Sequence, residues 1–144
     1  MVEDERCVFC AIVAGSEPAS VVYEDAVALV FLTIGPVNPG HLLITPKLHV
    51  RYLAEMDEET GAHLFRVAMR MERALRGSGL RCEGVNLFLA DGEAAFQEVF
   101  HLHLHLFPHF AGDQFTISAA WSVRPSRAAL DAVVARIRAA LPSA

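Results

Sequence analysis

The chain carries no block of Lys and Arg, no apolar run long enough to cross a bilayer, and too few cysteines for a disulfide framework. Each absence excludes something. With a formal net charge of −5, the electrostatic footprint of a protein that grips a nucleic-acid polymer is missing. A small phosphorylated substrate stays compatible, because a few local donors hold it whatever the net charge. The longest apolar stretch, residues 26–35, is interrupted by Thr33 and falls short of the roughly 20 residues a membrane-spanning helix needs. No membrane contact is expected. Cys7, Cys10 and Cys82 form a small, odd-numbered set, which reads as reduced thiols in a cytoplasmic protein. Residues 1–6 are acidic and meet Cys7 without the apolar centre of a secretory signal. Internal repeats, low-complexity tracts and interdomain linkers are also missing, so one domain over residues 1–144 is expected.

What is there is apolar material: 53% of the residues are hydrophobic, enough for a core and for a subunit interface besides. Residues 7–14 read as a knuckle running into a short helix that Gly15 ends. Residues 21–23 and 26–33 are β-rich and flank Glu24 and Asp25 as a hairpin. Turn residues at 36–40 lead into a strand over 41–45 that Pro46 closes. Asp57 is placed to cap a helix in which Leu64, Ala68, Met71 and Leu75 keep helical spacing until Gly77 and Gly79. A strand over 84–90, a loop over 91–97 and a strand over 101–107, ended by Pro108, come next. Leu130, Val133, Val134, Ile137 and Leu141 mark a second amphipathic helix, opened by Pro125 and Ser126. Hairpin-like strands with helices set apart predict an α+β domain on an antiparallel sheet.

The row His101, His103, His105 carries the chemistry. On a strand these side chains share one face at roughly 7 Å spacing, while Leu102, Leu104 and Leu106 enter the core. A lone histidine there reads as a hydrogen-bonded structural residue, but packing hardly explains three imidazoles in a row. The row serves either as ligands of a catalytic metal or as a covalent nucleophile toward phosphorus flanked by donors. Close imidazoles disfavour one another's protonation, so the central ring stays neutral and nucleophilic at pH 7.

The wider context favours phosphorus. Residues 101–107 match the signature His-φ-His-φ-His-φ-φ, with φ apolar, at every position. Ahead of it stand Cys7 and Cys10, then Asn38, Pro39, Gly40 and His41, then Pro46, Lys47, Leu48 and His49, and then Gln97, Glu98, Val99 and Phe100; Pro108, Gly112 and Asp113 follow. In this arrangement the chain resembles the histidine-triad (HIT) nucleotide hydrolases and transferases of the CxxC-containing, zinc-binding type, over nearly its whole length. The resemblance implies a HIT-like antiparallel sheet with two main helices and a two-fold homodimer that joins sheets. It implies that His103 is the nucleophile and forms a nucleotidyl-histidine. His105 then binds the phosphoryl group and helps protonate the leaving group, His41 sits at the site from a neighbouring strand, and Gln97 contacts the phosphate. Cys-x-x-Cys by itself is a weak signal. A thioredoxin-like pair would follow a strand, whereas zinc takes four Cys/His ligands. By the resemblance, His49 and His101 complete a structural Zn²⁺ site with Cys7 and Cys10.

Some positions depart from the family pattern. Thr33 stands where relatives place Asp or Asn on the ribose hydroxyls, Ala90 where a side-chain amide is common, Phe96 where Gly precedes Gln97, and Glu98 where Ser or Thr is frequent. The expected activity is cleavage of a phosphoanhydride or phosphoramidate at a nucleoside 5′-phosphate, on a small nucleotide such as a dinucleoside polyphosphate, adenosine phosphoramidate or aminoacyl adenylate. A metal-centred hydrolase using the histidine row and a non-catalytic nucleotide sensor are the alternatives. His63 reads as a surface residue, and His109 and Cys82 carry no expected role.

Overall fold

A computed structural model describes residues 6–143; the reading of the acidic start of the chain lies outside the described residues at positions 1–5. The chain forms α1 (Val8–Ala14), β1 (Val21–Glu24), β2 (Ala28–Leu32), β3 (Leu42–Pro46), α2 (Glu58–Gly77), β4 (Gly84–Leu89), β5 (Leu104–His109) and α3 (Arg127–Ala140). The strands make a five-stranded antiparallel sheet in the order β1-β2-β3-β5-β4. Asp25 makes the β1–β2 turn by accepting hydrogen bonds from the N–H groups of Val27 and Ala28, both at 2.8 Å. Its other oxygen accepts from Tyr23 and faces His63 Nε2 on α2 at 2.7 Å. His63 is thus a half-buried tie between hairpin and helix.

Alternation along the strands sorts two apolar layers. Ala28, Val30, Leu42, Ile44 and Leu106 face α2, where Leu64, Val67, Ala68, Met71 and Leu75 meet them. Leu29, Phe31 and Leu43 face the other way, against Phe9 of α1. Burying side chains of this size contributes about 1.5–3 kcal/mol each. Asp57 caps α2 by accepting from Thr60 N at 2.8 Å, typically worth about 1 kcal/mol. Gly40 has φ +99°, and a Cβ there would lie 2.9 Å from Leu75 Cδ2. The turn entering β3 therefore rests on the end of α2 at a place that only glycine fits.

Two expectations need correction. The strand expected over 101–107 covers 104–109 instead. At its start the β3 ladder stops at the Ile44–Leu104 pair, because Pro46 closes β3 and has no N–H to donate; Leu102 N turns away to Val50 O at 2.7 Å. At its end Pro108 stays in the strand, paired with Val85 of β4. On the β3 side the ladder reaches only the Leu42–Leu106 pair, so no ladder bond is lost at Pro108. The second correction concerns His63, read from the sequence as a surface residue and found half-buried against Asp25. The helix α3 forms where the apolar spacing places it. Ser126 caps it by accepting from Ala129 N at 3.1 Å, but none of its residues is buried and its apolar row faces outward.

Candidate functional site

The sheet face covered by α1 carries the histidines, divided between two poles. At the first, Cys7 and Cys10 on the turn into α1 meet His49 and His101. Cys7 Sγ and Cys10 Sγ each lie 3.5 Å from His101 Nδ1, and Cys10 Sγ lies 3.2 Å from His49 Nδ1. All four donor atoms fall within 4.8 Å of one another. In a tetrahedral zinc site with ordinary Zn–S and Zn–N bonds, neighbouring S and N ligands stand about 3.6 Å apart. His101 also has the correct tautomer. Its Nε2 lies 2.7 Å from the Pro46 carbonyl, which can only accept, so the proton is on Nε2 and Nδ1 keeps its lone pair. The donor set fits Zn²⁺. Burial pushes His101 down to about 4, against the bond to Pro46, which keeps the ring neutral as a ligand must be.

At the second pole, hydrogen-bond partners again fix which nitrogen carries the proton. His103 Nδ1 lies 2.7 Å from the His101 carbonyl, an obligate acceptor, so His103 holds its proton on Nδ1 and has a lone pair on Nε2. His41 Nδ1 accepts from Val37 N–H at 3.1 Å, which leaves the His41 proton on Nε2. That nitrogen faces His105 Nδ1 at 2.9 Å, so His105 accepts there and carries its own proton on Nε2. The His103 and His105 rings are 4.8 Å apart. Burial lowers all three pKa values, with smaller contributions from His103 on His41 and from His103 and His41 on His105, which is pushed down to about 4. The rings are neutral at pH 7, as the sequence suggests, but burial is the leading cause; repulsion between imidazoles adds to it at His41 and His105 and not at the central His103, where the bond to the His101 carbonyl works against burial. One nitrogen with a free pair stands beside one with a proton to give.

The structure brings His41, His103 and His105 together and sends His101 to the metal pole. Among the described residues, Cys7, Cys10, His49 and His101 are the cluster of such donors suited to one ion; the triad as a whole is not such a cluster. Gln97 is buried and fully engaged with backbone. Its Nε2 donates to the carbonyls of Arg51 and Val99 at 2.8 and 3.2 Å, and its Oε1 accepts from Gly92 N at 2.8 Å. Thr33 lies beside β3, its N–H on the His41 carbonyl at 3.2 Å and its hydroxyl accepting from Gly35 N at 3.3 Å. Ala90 is buried and Glu98 exposed. Phe96 has φ +69° and is 82% exposed, a left-handed position that accounts for glycine in the family pattern.

Phe9 was not anticipated. Its ring packs edge-on against His103 at 5.0 Å, as well as against His101 and Phe31. Its place between Cys7 and Cys10 was the available signal, since a residue inside the metal knuckle is carried wherever the knuckle docks.

Comparisons with known proteins agree with this geometry. Residues 14–112 match the family model of the HIT domain. The crystal structure of a HIT family member from Bacillus subtilis superposes with a TM-score of 0.87 at 34% identity, covering 97% of this chain and 100% of that one. A zinc-bound histidine triad family protein from Mycobacterium smegmatis gives 0.74 at 41% identity, covering 94% and 98%. The adenosine 5′-monophosphoramidase of Schizosaccharomyces pombe is 30% identical over 119 residues, 83% of this chain and 85% of that protein.

Proposed function

The chain belongs to the HIT family, and from that premise we propose that it cleaves a phosphoanhydride or phosphoramidate bond at a nucleoside 5′-phosphate through a nucleotidyl-histidine on His103. The observation that carries this reading is the pair of opposite tautomers: a lone pair on His103 Nε2 beside a proton on His105 Nε2. His103 Nε2 attacks phosphorus and the P–O or P–N bond to the leaving group breaks. The leaving group departs with the electron pair and takes a proton through His105, which recovers one from water. Water then displaces His103 from phosphorus, releasing the nucleoside monophosphate. His41 holds His105 in the proton-carrying tautomer. Gln97, engaged with three backbone groups, holds the loop so that the N–H groups that follow it, at residues 98–99, meet the phosphate. The S. pombe relative named as a monophosphoramidase makes adenosine phosphoramidate the first substrate to try.

Zn²⁺ at Cys7, Cys10, His49 and His101 is structural in this reading: it anchors the stretch whose carbonyl fixes the His103 tautomer. Among the described residues Cys7, Cys10 and Cys82 form no disulfide, which suits the reducing cytoplasm. Thr33, beside His41, stands on the ribose side, and its single neutral hydroxyl gives little discrimination between ribo- and deoxyribonucleotides. The partner is a second copy of the chain. β4 is an edge strand that exposes Leu87 and Phe88 without the charges that guard a solvent edge, and the outward row of α3 adds further apolar surface. Intact-protein mass spectrometry after brief mixing with adenosine phosphoramidate or a diadenosine polyphosphate tests the reaction. A nucleotidyl adduct that maps to His103 is expected; turnover with an adduct elsewhere, or with none in wild-type chain quenched before a first turnover is complete, would refute the covalent route.

A further inference from the structure

The turn before β3 and the loop after β5 meet at a buried carboxamide. Asn38 is 8% exposed, and its Nδ2 donates to the Pro108 carbonyl at 2.9 Å and to Asp113 Oδ2 at 2.8 Å. The Asp113 side chain is 2% exposed and 2.5 Å from His109 Nδ1. It also accepts from Phe110 N at 3.1 Å and Phe115 N at 3.2 Å. One carboxylate therefore gathers the side chain of Asn38, the ring of His109 and two backbone N–H groups. A carboxylate withdrawn from water is tolerable only with such a complement of donors, and bonds of this charge-assisted kind are the strong ones.

Neither Asn38 nor Asp113 touches the reacting nitrogens, but the turn they hold does. The residue before Asn38 supplies the Val37 N–H that His41 Nδ1 accepts, and the Asn38 carbonyl accepts from His41 N at 3.1 Å. Pro108, at the other end of the clamp, lies three residues beyond His105 on β5. Any slack between turn and strand acts directly on the Val37–His41–His105 chain. If the Val37 bond opens, His41 is free to move its proton to Nδ1, and His105 is then free to do the same.

We infer that Asn38 and Asp113 are positioning residues: by clamping the 36–41 turn to the end of β5 they fix the tautomer of His41 and so keep the His105 proton on Nε2, facing the leaving group. The inference rests on the role given to His105 under the proposed function, but it has a readout that does not need turnover. The full chain, labelled with ¹⁵N-histidine, is compared with Asn38→Ala and with Asp113→Asn, the latter keeping side-chain size. Ring-nitrogen shifts report the tautomers of His41 and His105. Steady-state kinetics are measured on two adenosine 5′-phosphate derivatives, one with a good leaving group and one with a poor one.

Both variants should show a mixture of His105 tautomers in place of the Nε2–H form. They should lose about tenfold or more in kcat/KM on the poor leaving group relative to the good one, as for an impaired general acid. Folded variants with an unchanged His105 tautomer, or with equal losses on both substrates, would overturn the inference. Failure of the reaction reading looks different: the wild-type chain itself would lack turnover and a His103 adduct, while the nitrogen shifts would still respond to loss of the clamp.

Discussion

The two poles of the site use the same side chain in opposite ways. At the metal pole, His49 and His101 turn a ring nitrogen inward toward two thiols, and the free nitrogen of His101 is spent on the Pro46 carbonyl. At the reaction pole, His41 and His105 are spent on each other, and among the described residues no hydrogen bond ends on His103 Nε2. His101 and His103 are two residues apart, yet one ring is built to be saturated by ligation and the other to be left unsaturated. Every buried side-chain nitrogen and oxygen among the described residues has a partner, so His103 Nε2, which has none, is open to the solvent side, where an incoming atom is accommodated. The carbonyl of His101 joins the poles, since it holds the His103 proton on Nδ1.

The sharpest way to separate the poles is His103→Ala. It should lower kcat on adenosine phosphoramidate by more than about 10³-fold, because the covalent step has no substitute, while bound metal measured by mass spectrometry stays near one equivalent. Retention of a tenth of the wild-type kcat would remove His103 from the chemistry. Cys7→Ser with Cys10→Ser attacks the other pole. Metal should be lost together with about 3 kcal/mol of stability, roughly 10 °C in Tm, and activity should fall less than in His103→Ala. Equal metal content in wild type and double variant would refute the site.

Acid should distinguish the poles more gently. The ordinary histidine value is 6.5 and burial lowers His41 and His105, the latter to about 4. Between those values the unfolded chain binds more protons than the folded one. Stability from these two rings is therefore fully present above about pH 6.5 and is lost as pH falls toward about 4. Calorimetry in the Cys7→Ser, Cys10→Ser background isolates this effect from metal release, and His105→Gln should flatten the decline in Tm; an unchanged slope would place the protons elsewhere. The smallest effect belongs to Phe96. Phe96→Gly relieves a left-handed backbone and should raise stability by about 1 kcal/mol without changing metal content, as read by denaturant unfolding. A loss of stability would mean that the exposed ring makes contacts worth more than the strain.

Much of this was legible in the chain itself. The sequence by itself determined the α+β class, the hairpin at Asp25, the caps at Asp57 and Ser126, the apolar spacing of α2 and the choice of Cys7, Cys10, His49, His101, His103 and His105 as the residues of interest. Apart from His49 and the ligand role of His101, which the resemblance to the HIT family implied, these follow from local backbone preference, periodicity and motif spacing, which act over a few residues. Strand limits around the triad were not legible, because a ladder ends where its neighbour runs out of N–H groups, and that depends on Pro46 and Leu42 of another strand. Phe9, Asn38 and Asp113 gained their places only on folding, as did the backbone engagement of Gln97. The tertiary structure alone decided the division of labour among the histidines. Which ring nitrogen holds a proton is set by whether its partner can only donate or only accept, and those partners, Val37, Pro46 and the His101 carbonyl, are brought to their rings by the sheet.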